Sequence, residues 1–170
     1  LVAANAVVAR PLTSFKRPAE FTEKPLVLYV GRLQARKKVD LLIKACAALS
    51  NHLQPRLWII GDGPVRAELQ NLAEQIYPQT KFLGAVHGPD LTPYFQQADL
   101  FVLPGTGGLA VQEAMAHTLP VIVAEADGTQ SDLVRPDNGW IVNPGDLVHL
   151  QTTLATAIAN PLRLRQMGES

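Results

Sequence analysis

The stretch that decides the fold is residues 100–116, which read LFVLPGTGGLAVQEAMA. It begins with an apolar run typical of a buried strand, continues through a glycine-rich turn and ends in a helical pattern that carries one acid, Glu113. Such a turn directs backbone N–H groups and the positive end of a helix dipole at one spot, and that spot attracts phosphate. The stretch therefore predicts a strand–turn–helix unit with an anion site at its turn.

The composition is that of one ordinary globular domain. The 170 residues are 47% hydrophobic and 18% charged, which is enough to build a single core. Lys and Arg together number 15, as do Asp and Glu, so no broad basic field is available for DNA, RNA or an anionic membrane. No apolar run reaches the ~18 residues of a membrane-spanning helix. We therefore expect no nucleic-acid partner and no membrane span in this chain.

Five apolar runs without polar alternation predict strands that are covered on both faces. Helical patterns lie between them, and strand–helix–strand repetition at this spacing implies an open parallel sheet with right-handed crossovers. The predicted fold class is therefore α/β, a Rossmann-like parallel sheet flanked by helices. The five runs are Leu26–Val30, Leu57–Ile60, Lys81–Leu83, Leu100–Leu103 and Pro120–Ala124.

The helical patterns have recognisable ends. Asp90 is the predicted N-cap of a short helix, and Pro161 is expected to open the last helix of the chain. One apolar face recurs over three turns in the clearest pattern. The main predicted helices are Val65–Ile76, Leu91–Gln97 and Leu147–Ala159.

The first residues and the single cysteine bear on the protein's context. Residues 10–24 hold prolines and charges, so we predict an interdomain segment over residues 1–24 and one domain over residues 25–170. The chain begins without Met, and we expect it to be a fragment of a longer protein. Cys46 is expected to be buried, and a lone cysteine allows no intramolecular disulfide. This fits a reducing compartment, so we expect a cytoplasmic protein. We expect the rest of the longer protein to hold it at the cytoplasmic face of the membrane.

Basic residues follow the first predicted strand, at the edge where ligands bind in such sheets. Arg32 comes directly after Gly31, and Lys37 and Lys38 precede the next helix. Arg can hold a phosphate in a bidentate manner and Lys adds a point charge, so together they could neutralise a diphosphate. A solvated basic loop explains these residues equally well. The turn over residues 61–64, Gly-Asp-Gly-Pro, favours a structural role over a ligand site.

The glycine-rich turn supports two kinds of nucleotide site. Glu113 could accept both hydroxyls of a ribose from the helix that follows the turn. Alternatively, the pattern Gly105-x-Gly107-x-x-Ala110 fits a dinucleotide fingerprint, and Glu125 lies where the ribose-binding acid of an NAD site is expected. Among the histidines, His87 follows a predicted strand and could line a site. No D-x-D pair, zinc-type spacing or P-loop is present, so neither a metal site nor a cofactor is expected.

Taken in order, these blocks resemble the C-terminal, donor-binding domain of the group 1 (family 4) retaining glycosyltransferases of the GT-B fold. The resemblance covers nearly the whole chain. Residues 29–33, YVGRL, with Lys37 and the run DLLIKA at 40–45, look like the family's opening motif. The later matching blocks are IIGDGP at 59–64, FLGAV at 82–86, ADLFVLP at 98–104, EAMA at 113–116, LPVIVA at 119–124 and GWIV at 139–142.

The resemblance implies a role for each matching residue. Arg32 and Lys37 would stabilise the negative charge that grows on the leaving nucleoside diphosphate, and backbone N–H groups from Gly107 to Ala110 would complete the cradle. Glu113 would bind the nucleotide ribose, and Val86 would lie near the base. The implied donor-binding residues are Gly31, Val86, Gly105, Gly107, Gly108, Leu109, Ala110 and Glu113.

Three positions depart from the family pattern. Counting back from Glu113 in the E-x7-E motif places the first acid, which contacts the donor sugar in the family, at Gly105. Lys38 stands where the family usually has glycine after the lysine, and Asp132 stands where it often has Glu. The departure at Gly105 leaves a non-catalytic nucleotide-sugar-binding module as an alternative to an enzyme.

The function implied is that of half an enzyme. The chain is expected to bind a nucleotide-diphosphate sugar, with UDP or GDP as the nucleotide, for metal-independent transfer of a hexosyl group. The acceptor, which is a sugar, lipid or glycan, would be bound through an N-terminal domain that this chain lacks. The isolated chain is therefore expected to turn over little or nothing.

Overall fold

The computed structural model describes residues 24–107, 109–125 and 132–169. In these ranges six strands alternate with helices. The strands are β1 Leu26–Val30, β2 Arg56–Ile60, β3 Lys81–Phe82, β4 Leu100–Leu103, β5 Val121–Ala124 and β6 Gly139–Val142.

Six α-helices are found in the described ranges, together with short 3-10 helices at Ala35–Lys37, Asn51–Leu53 and Gly88–Leu91. The α-helices are α1 Val39–Ala48, α2 Arg66–Ile76, α3 Thr92–Gln97, α4 Leu109–Ala116, α5 Leu147–Ala159 and α6 Pro161–Gly168.

All six strands pair in parallel, in the order β3-β2-β1-β4-β5-β6. β1 and β2 are in register along their whole length, from Leu26 opposite Arg56 to Val30 opposite Ile60. The chain adds β2 and β3 on one side of β1 and then crosses to add β4 on its other side. A crevice therefore opens beyond the carboxyl ends of β1 and β4, and ligands bind at such switch points in doubly wound sheets.

The sheet is the centre of the core, which explains why β1, β4 and β5 carry no charged residues. Every residue of β1, β4 and β5 is buried. α1 contacts both α2 and α5, and Cys46 in α1 is fully buried. Removing apolar surface from water stabilises a fold by roughly 25 cal/mol per Å². The strands that are buried on both faces are therefore the most stable part of the fold, and the loops of the candidate site follow their carboxyl ends.

The structure confirms most of the predicted elements. All five predicted strands are present with ends within one residue, and Pro161 opens the last helix as expected. The apolar runs did not predict the sixth strand, β6. It is a short edge strand that begins at glycine and whose middle residues are only half-buried, so its apolar signal is weak.

The predicted N-cap at Asp90 is wrong. Asp90 lies inside the 3-10 helix Gly88–Leu91, and Leu91 is the cap residue of α3. Pro93 in the first turn of α3 fits a helix start that is displaced towards the C-terminus. The predicted interdomain segment, residues 1–24, lies outside the described residues except for Lys24.

Candidate functional site

The turns that follow β1 and β2 are joined backbone to backbone. The Gly31 and Leu33 amides donate to carbonyl oxygens of residues 60 and 62, each at 3.0 Å. A Cβ on Gly61 would lie 1.8 Å from the Gly31 oxygen, and one on Gly63 would lie 2.4 Å from the Leu33 oxygen. Both glycines therefore serve close backbone contact, as the structural interpretation of the 61–64 turn predicted.

A cavity of about 330 Å³ opens at the carboxyl ends of β1, β2 and β3. Its lining includes Gly31 and Arg32 from the first turn, Val86 and His87 from the segment after β3, and Glu113 from α4. Four predicted donor-site residues are thus brought together although more than 80 positions separate the first from the last. His87, which was predicted to line a site, does line this cavity.

Lys37 is anchored on the glycine-rich turn instead of extending freely into solvent. Its Nζ donates to the Thr106 carbonyl oxygen at 2.6 Å, and Arg36 Nη1 donates to Thr106 Oγ1 at 3.2 Å. The Thr106 amide in turn donates to the Arg36 oxygen at 3.3 Å. A Cβ on Gly107 would lie 2.7 Å from Lys37 Nζ, so the glycine leaves the space that the ammonium occupies.

Gly105 is buried beneath the 3-10 segment that carries Lys37. A Cβ at this position would lie 2.3 Å from the Arg36 oxygen and 2.4 Å from the Lys37 carbonyl carbon. A glutamate could not occupy position 105 unless the segment moved away. The packing around position 105 therefore leaves no room for the first acid of the E-x7-E pattern, which agrees with its absence from the sequence. A Cβ at residue 105 would face the protein backbone, and the contact of Gly105 with the donor stays a prediction.

Lys38 adopts a backbone conformation that favours glycine. Its φ is 56° and its ψ is 33°, in the left-handed region, and it caps α1 without a side-chain hydrogen bond. This accounts for the family's glycine at this position: a residue with a Cβ is strained here by about 1–2 kcal/mol. Lys38 is exposed and lies beside Arg36 and Lys37, so it adds a third charge to the segment.

Burial shifts the pKa of two ionisable groups of the candidate site, Lys37 and Glu113. The pKa of Lys37 is lowered by desolvation and by the neighbouring Arg36 guanidinium. The pKa of Glu113 is raised by desolvation. Each charged form is therefore less stable than in water, and a ligand that supplies the opposite charge or a hydrogen-bond donor would offset that cost.

The remaining predicted residues lie at or beside the start of α4. Leu109 and Ala110 are its first two residues, with Leu109 53% exposed, and Gly108 lies outside the described residues. Glu113 follows one turn later, half-buried. Anions are stabilised near a helix N-terminus, so the start of α4, Arg32 and Lys37 provide attraction for a negative ligand at one edge of the sheet.

Sequence reasoning missed Arg36 and Thr106, which connect the two loops of the switch point. In the sequence, Arg36 is one of several cations in a basic loop, and Thr106 is a small polar residue between glycines. The signal that could have found Arg36 is its place next to Lys37 at the end of β1, combined with the expectation that β1 and β4 are neighbours in the sheet.

Within the described ranges, no three His, Cys, Asp or Glu side chains are grouped closely enough to hold a metal ion. In the same part of the chain, no helix combines the length and the apolar character needed to cross a membrane.

Known structures share this architecture. The lipopolysaccharide outer core galactosyltransferase WaaB matches with a TM-score of 0.79 at 22% identity, over 97% of this chain and 49% of its own. Anabaena HepE, solved in complex with UDP, matches with a TM-score of 0.75 at 25% identity, over 85% of this chain and 42% of its own. The expected fold class, the Rossmann-like sheet of GT-B glycosyltransferases, is confirmed by this likeness.

Sequence comparison agrees with the fold. A GDP-mannose-dependent alpha-mannosyltransferase of Mycobacterium tuberculosis is 37% identical over 147 residues, which cover 84% of this chain and 36% of the relative. The chain thus spans well under half the length of the curated relatives it matches most strongly. A family described as glycosyl transferases group 1 matches residues 12–170. The sheet order, the switch-point site and this match together show that the chain belongs to the group 1 glycosyl transferases.

Proposed function

We propose that this chain is the donor-binding half of a retaining glycosyltransferase that takes a nucleotide-diphosphate sugar. The observation that carries the proposal is the cavity at the ends of β1, β2 and β3. It places the Arg32 turn, the Val86 segment and the Glu113 carboxylate around one space. A cation, a strand-end backbone and a carboxylate are the groups that a diphosphate, a base and a ribose require.

Each part of the donor has a matching part of the site. The diphosphate lies against the Arg32 guanidinium, the Lys37 ammonium and the start of α4. The two ribose hydroxyls donate to the Glu113 carboxylate, and the base extends towards Val86. Family membership and the bound UDP of Anabaena HepE support a nucleotide in this place.

The chemistry follows from charge that develops as the glycosidic bond to the diphosphate breaks. Electrons of that bond pass to the diphosphate oxygen, and fixed cations that face this oxygen lower the barrier. Arg32 and Lys37 supply these cations, so no metal ion is needed to stabilise the leaving group. Retention of configuration at the anomeric carbon is proposed from the family resemblance, and NMR of the product's anomeric proton would test it.

The acceptor side of the reaction lies outside this chain. Because the chain spans 36% of the mannosyltransferase relative, the remaining length of such a protein has room for a second domain across the cleft. We infer that a sugar, lipid or glycan acceptor binds there, that a hexosyl group is transferred, and that the present chain alone turns over little donor. The lone, fully buried Cys46 thiol is compatible with the proposed cytoplasmic location.

Calorimetric titration with UDP, GDP and ADP and with their sugars tests the donor site. Wild-type protein should bind at least one of these nucleotides. Arg32→Ala and Glu113→Ala should each weaken binding by at least about tenfold, because each removes charge-assisted hydrogen bonds. Arg163→Ala is the matched control, since Arg163 is an exposed arginine on α6 outside the site. Equal affinities for all three variants would refute the site assignment.

A non-catalytic nucleotide-sugar-binding module is the second candidate. It is favoured by the packing at Gly105, where no acid can reach a donor sugar. A whole protein carrying this chain that binds the donor, yet neither transfers nor hydrolyses the sugar, would support the module. Transfer of sugar to any acceptor would support the enzyme. Membership of the group 1 glycosyl transferases speaks against the NAD-type alternative.

A further inference from the structure

Tyr29 is a buried polar side chain directly beneath the switch point. It lies on β1, one residue before the strand ends, and it has no exposed surface. Its hydroxyl nevertheless forms a hydrogen bond that leaves the strand: Oη donates to the Arg32 carbonyl oxygen at 2.9 Å. A hydroxyl carried into a core costs free energy unless it is paired, so this bond satisfies both groups.

The donor role of this hydroxyl is stable to pH. Burial raises the pKa of Tyr29, and the nearby Arg36 charge offsets only part of that rise. The phenol therefore keeps its proton and donates across the physiological range. A phenylalanine in its place would leave the Arg32 carbonyl without this partner.

Gly31 makes room for the contact. A Cβ at Gly31 would lie 2.8 Å from the Tyr29 hydroxyl oxygen, closer than real Cβ atoms come. The glycine at the strand end thus lets the phenol pass under the turn to the next peptide. On either side, the amides of Gly31 and Leu33 are held by carbonyl oxygens of β2 and the turn that follows it. The Arg32 carbonyl belongs to the same peptide as the Leu33 amide, so Tyr29 holds the oxygen of a peptide whose N–H is bound to the Asp62 oxygen.

We propose that Tyr29 is a positioning residue of the diphosphate site, acting through Arg32. The hydroxyl fixes the peptide from which the exposed Arg32 side chain projects into the cavity, so the guanidinium starts from a Cα that is already held in place. If the Arg32 side chain starts from an ordered backbone, binding costs less conformational entropy, and the affinity for the ligand is higher for that reason. The inference rests on the proposed function, in which Arg32 binds the diphosphate of the donor.

Tyr29→Phe tests the role, and the chain offers a matched control. Tyr77 is also buried, and its hydroxyl also donates to a backbone oxygen, that of Pro55 at the amino end of β2. Tyr77→Phe therefore removes the same kind of bond at the opposite edge of the sheet. The probes are inorganic pyrophosphate, UDP and GDP, titrated calorimetrically into the 170-residue chain. Both variants should lose similar thermal stability.

Only Tyr29→Phe should weaken binding, by about five- to tenfold for pyrophosphate and for the nucleotide that binds, which is the expected effect of one neutral hydrogen bond. Tyr77→Phe should stay within about twofold of wild type. In an Arg32→Ala background, Tyr29→Phe should change the affinity by less than about twofold, because a residue that acts through Arg32 has nothing left to position. A merely structural role would not produce this loss of coupling.

The outcomes separate the two proposals. If wild-type protein binds none of the three anions, the donor-site function fails, and the role of Tyr29 fails with it. If the anions bind and the two Tyr→Phe variants behave alike, or if Tyr29→Phe acts equally with and without Arg32, only the role of Tyr29 is overturned. Unfolding of Tyr29→Phe alone would also overturn it, since the phenol would then serve the core.

Discussion

At the scale of single residues, the site depends on which side chains are absent as much as on which are present. A Cβ at position 107 would crowd the Lys37 ammonium that donates to the Thr106 carbonyl oxygen, and a Cβ at position 31 would crowd the Tyr29 hydroxyl that donates to the Arg32 carbonyl oxygen. The family resemblance implied that both glycines bind the donor. In the structure each one first admits a side chain of the protein itself.

Glu113→Gln should separate stability from binding. Because burial raises its pKa, ionised Glu113 destabilises the folded state at neutral pH, and its contribution to stability is present below the ordinary glutamate pKa and lost as pH rises. The neutral variant should therefore melt at or above the wild-type temperature at pH 7. It should bind the nucleotide about tenfold more weakly, since an amide offers the ribose hydroxyls one accepting oxygen instead of two and carries no charge.

The same substitution should remove a pH dependence. Wild-type affinity is expected to fall as pH is lowered from neutrality through the raised pKa of Glu113, because protonation removes the negative charge and one of the two accepting oxygens. The Gln variant should lose this part of the profile. Calorimetry across this range measures it, with Glu74→Gln on the exposed face of α2 as the control. An unchanged profile in Glu113→Gln would contradict the ribose assignment.

Lys38→Gly should stabilise the chain. The substitution relieves a positive φ and removes a cation from the N-terminus of α1, while the greater freedom of glycine in the unfolded state offsets part of the gain. We expect a net gain of about 1 kcal/mol, which urea unfolding would measure. Lys38→Ala is the control, because it removes the charge and keeps the Cβ. Equal gains from both variants would show that charge, not conformation, is responsible.

At the scale of elements, the site is made from two pairs of strand–turn–helix units. The turns after β1 and β2 are locked together through Gly61 and Gly63, and the turns after β1 and β4 are joined through Thr106. The apolar runs of β1, β2 and β4 predicted these units well, because strand burial is a local property of the sequence. β6 escaped prediction because an edge strand is buried on fewer sides and needs fewer apolar residues.

Gly61→Ala should disrupt both the β1 turn and the site. Its φ of 144° is unfavourable for a side chain, and the added Cβ would overlap the Gly31 oxygen at 1.8 Å. We expect a loss of about 3 kcal/mol in the free energy of unfolding, with weaker nucleotide binding. Gly145→Ala is the control: its φ is also positive, but nothing lies within 4 Å of the added Cβ, and the residue does not line the cavity. It should cost only about 1 kcal/mol.

At the scale of the whole molecule, the strand order decides what the site is. Because β4 returns to the side of β1 away from β2, the glycine-rich turn and the basic segment meet at one crevice. Neither loop alone distinguishes a donor site from a solvated loop or a dinucleotide fingerprint. Their meeting, with Glu113 and Arg32 lining the same cavity, favours a nucleoside diphosphate.

Ligand binding should stabilise the whole fold, since the site spans turns after several strands. At a nucleotide concentration of about 100 times Kd, linkage predicts roughly 2.7 kcal/mol of added stability. For a chain of this size, that corresponds to a rise of about 5–10 °C in Tm, which thermal unfolding would record. The double variant Arg32→Ala/Glu113→Ala should show no rise. A rise in that variant would place the ligand elsewhere.

The sequence by itself determined the parallel α/β fold, the strand ends beside which the cavity lies, and the cations and acid of the candidate site. These are readable because apolar runs, glycines and charges act locally along the chain. Only the tertiary structure decided that Lys37 and Arg36 meet Thr106, that no acid fits at Gly105, and that Tyr29 holds Arg32. The contacts of Lys37 and Arg36 join residues 69 and 70 positions apart, across strands whose order no local pattern encodes.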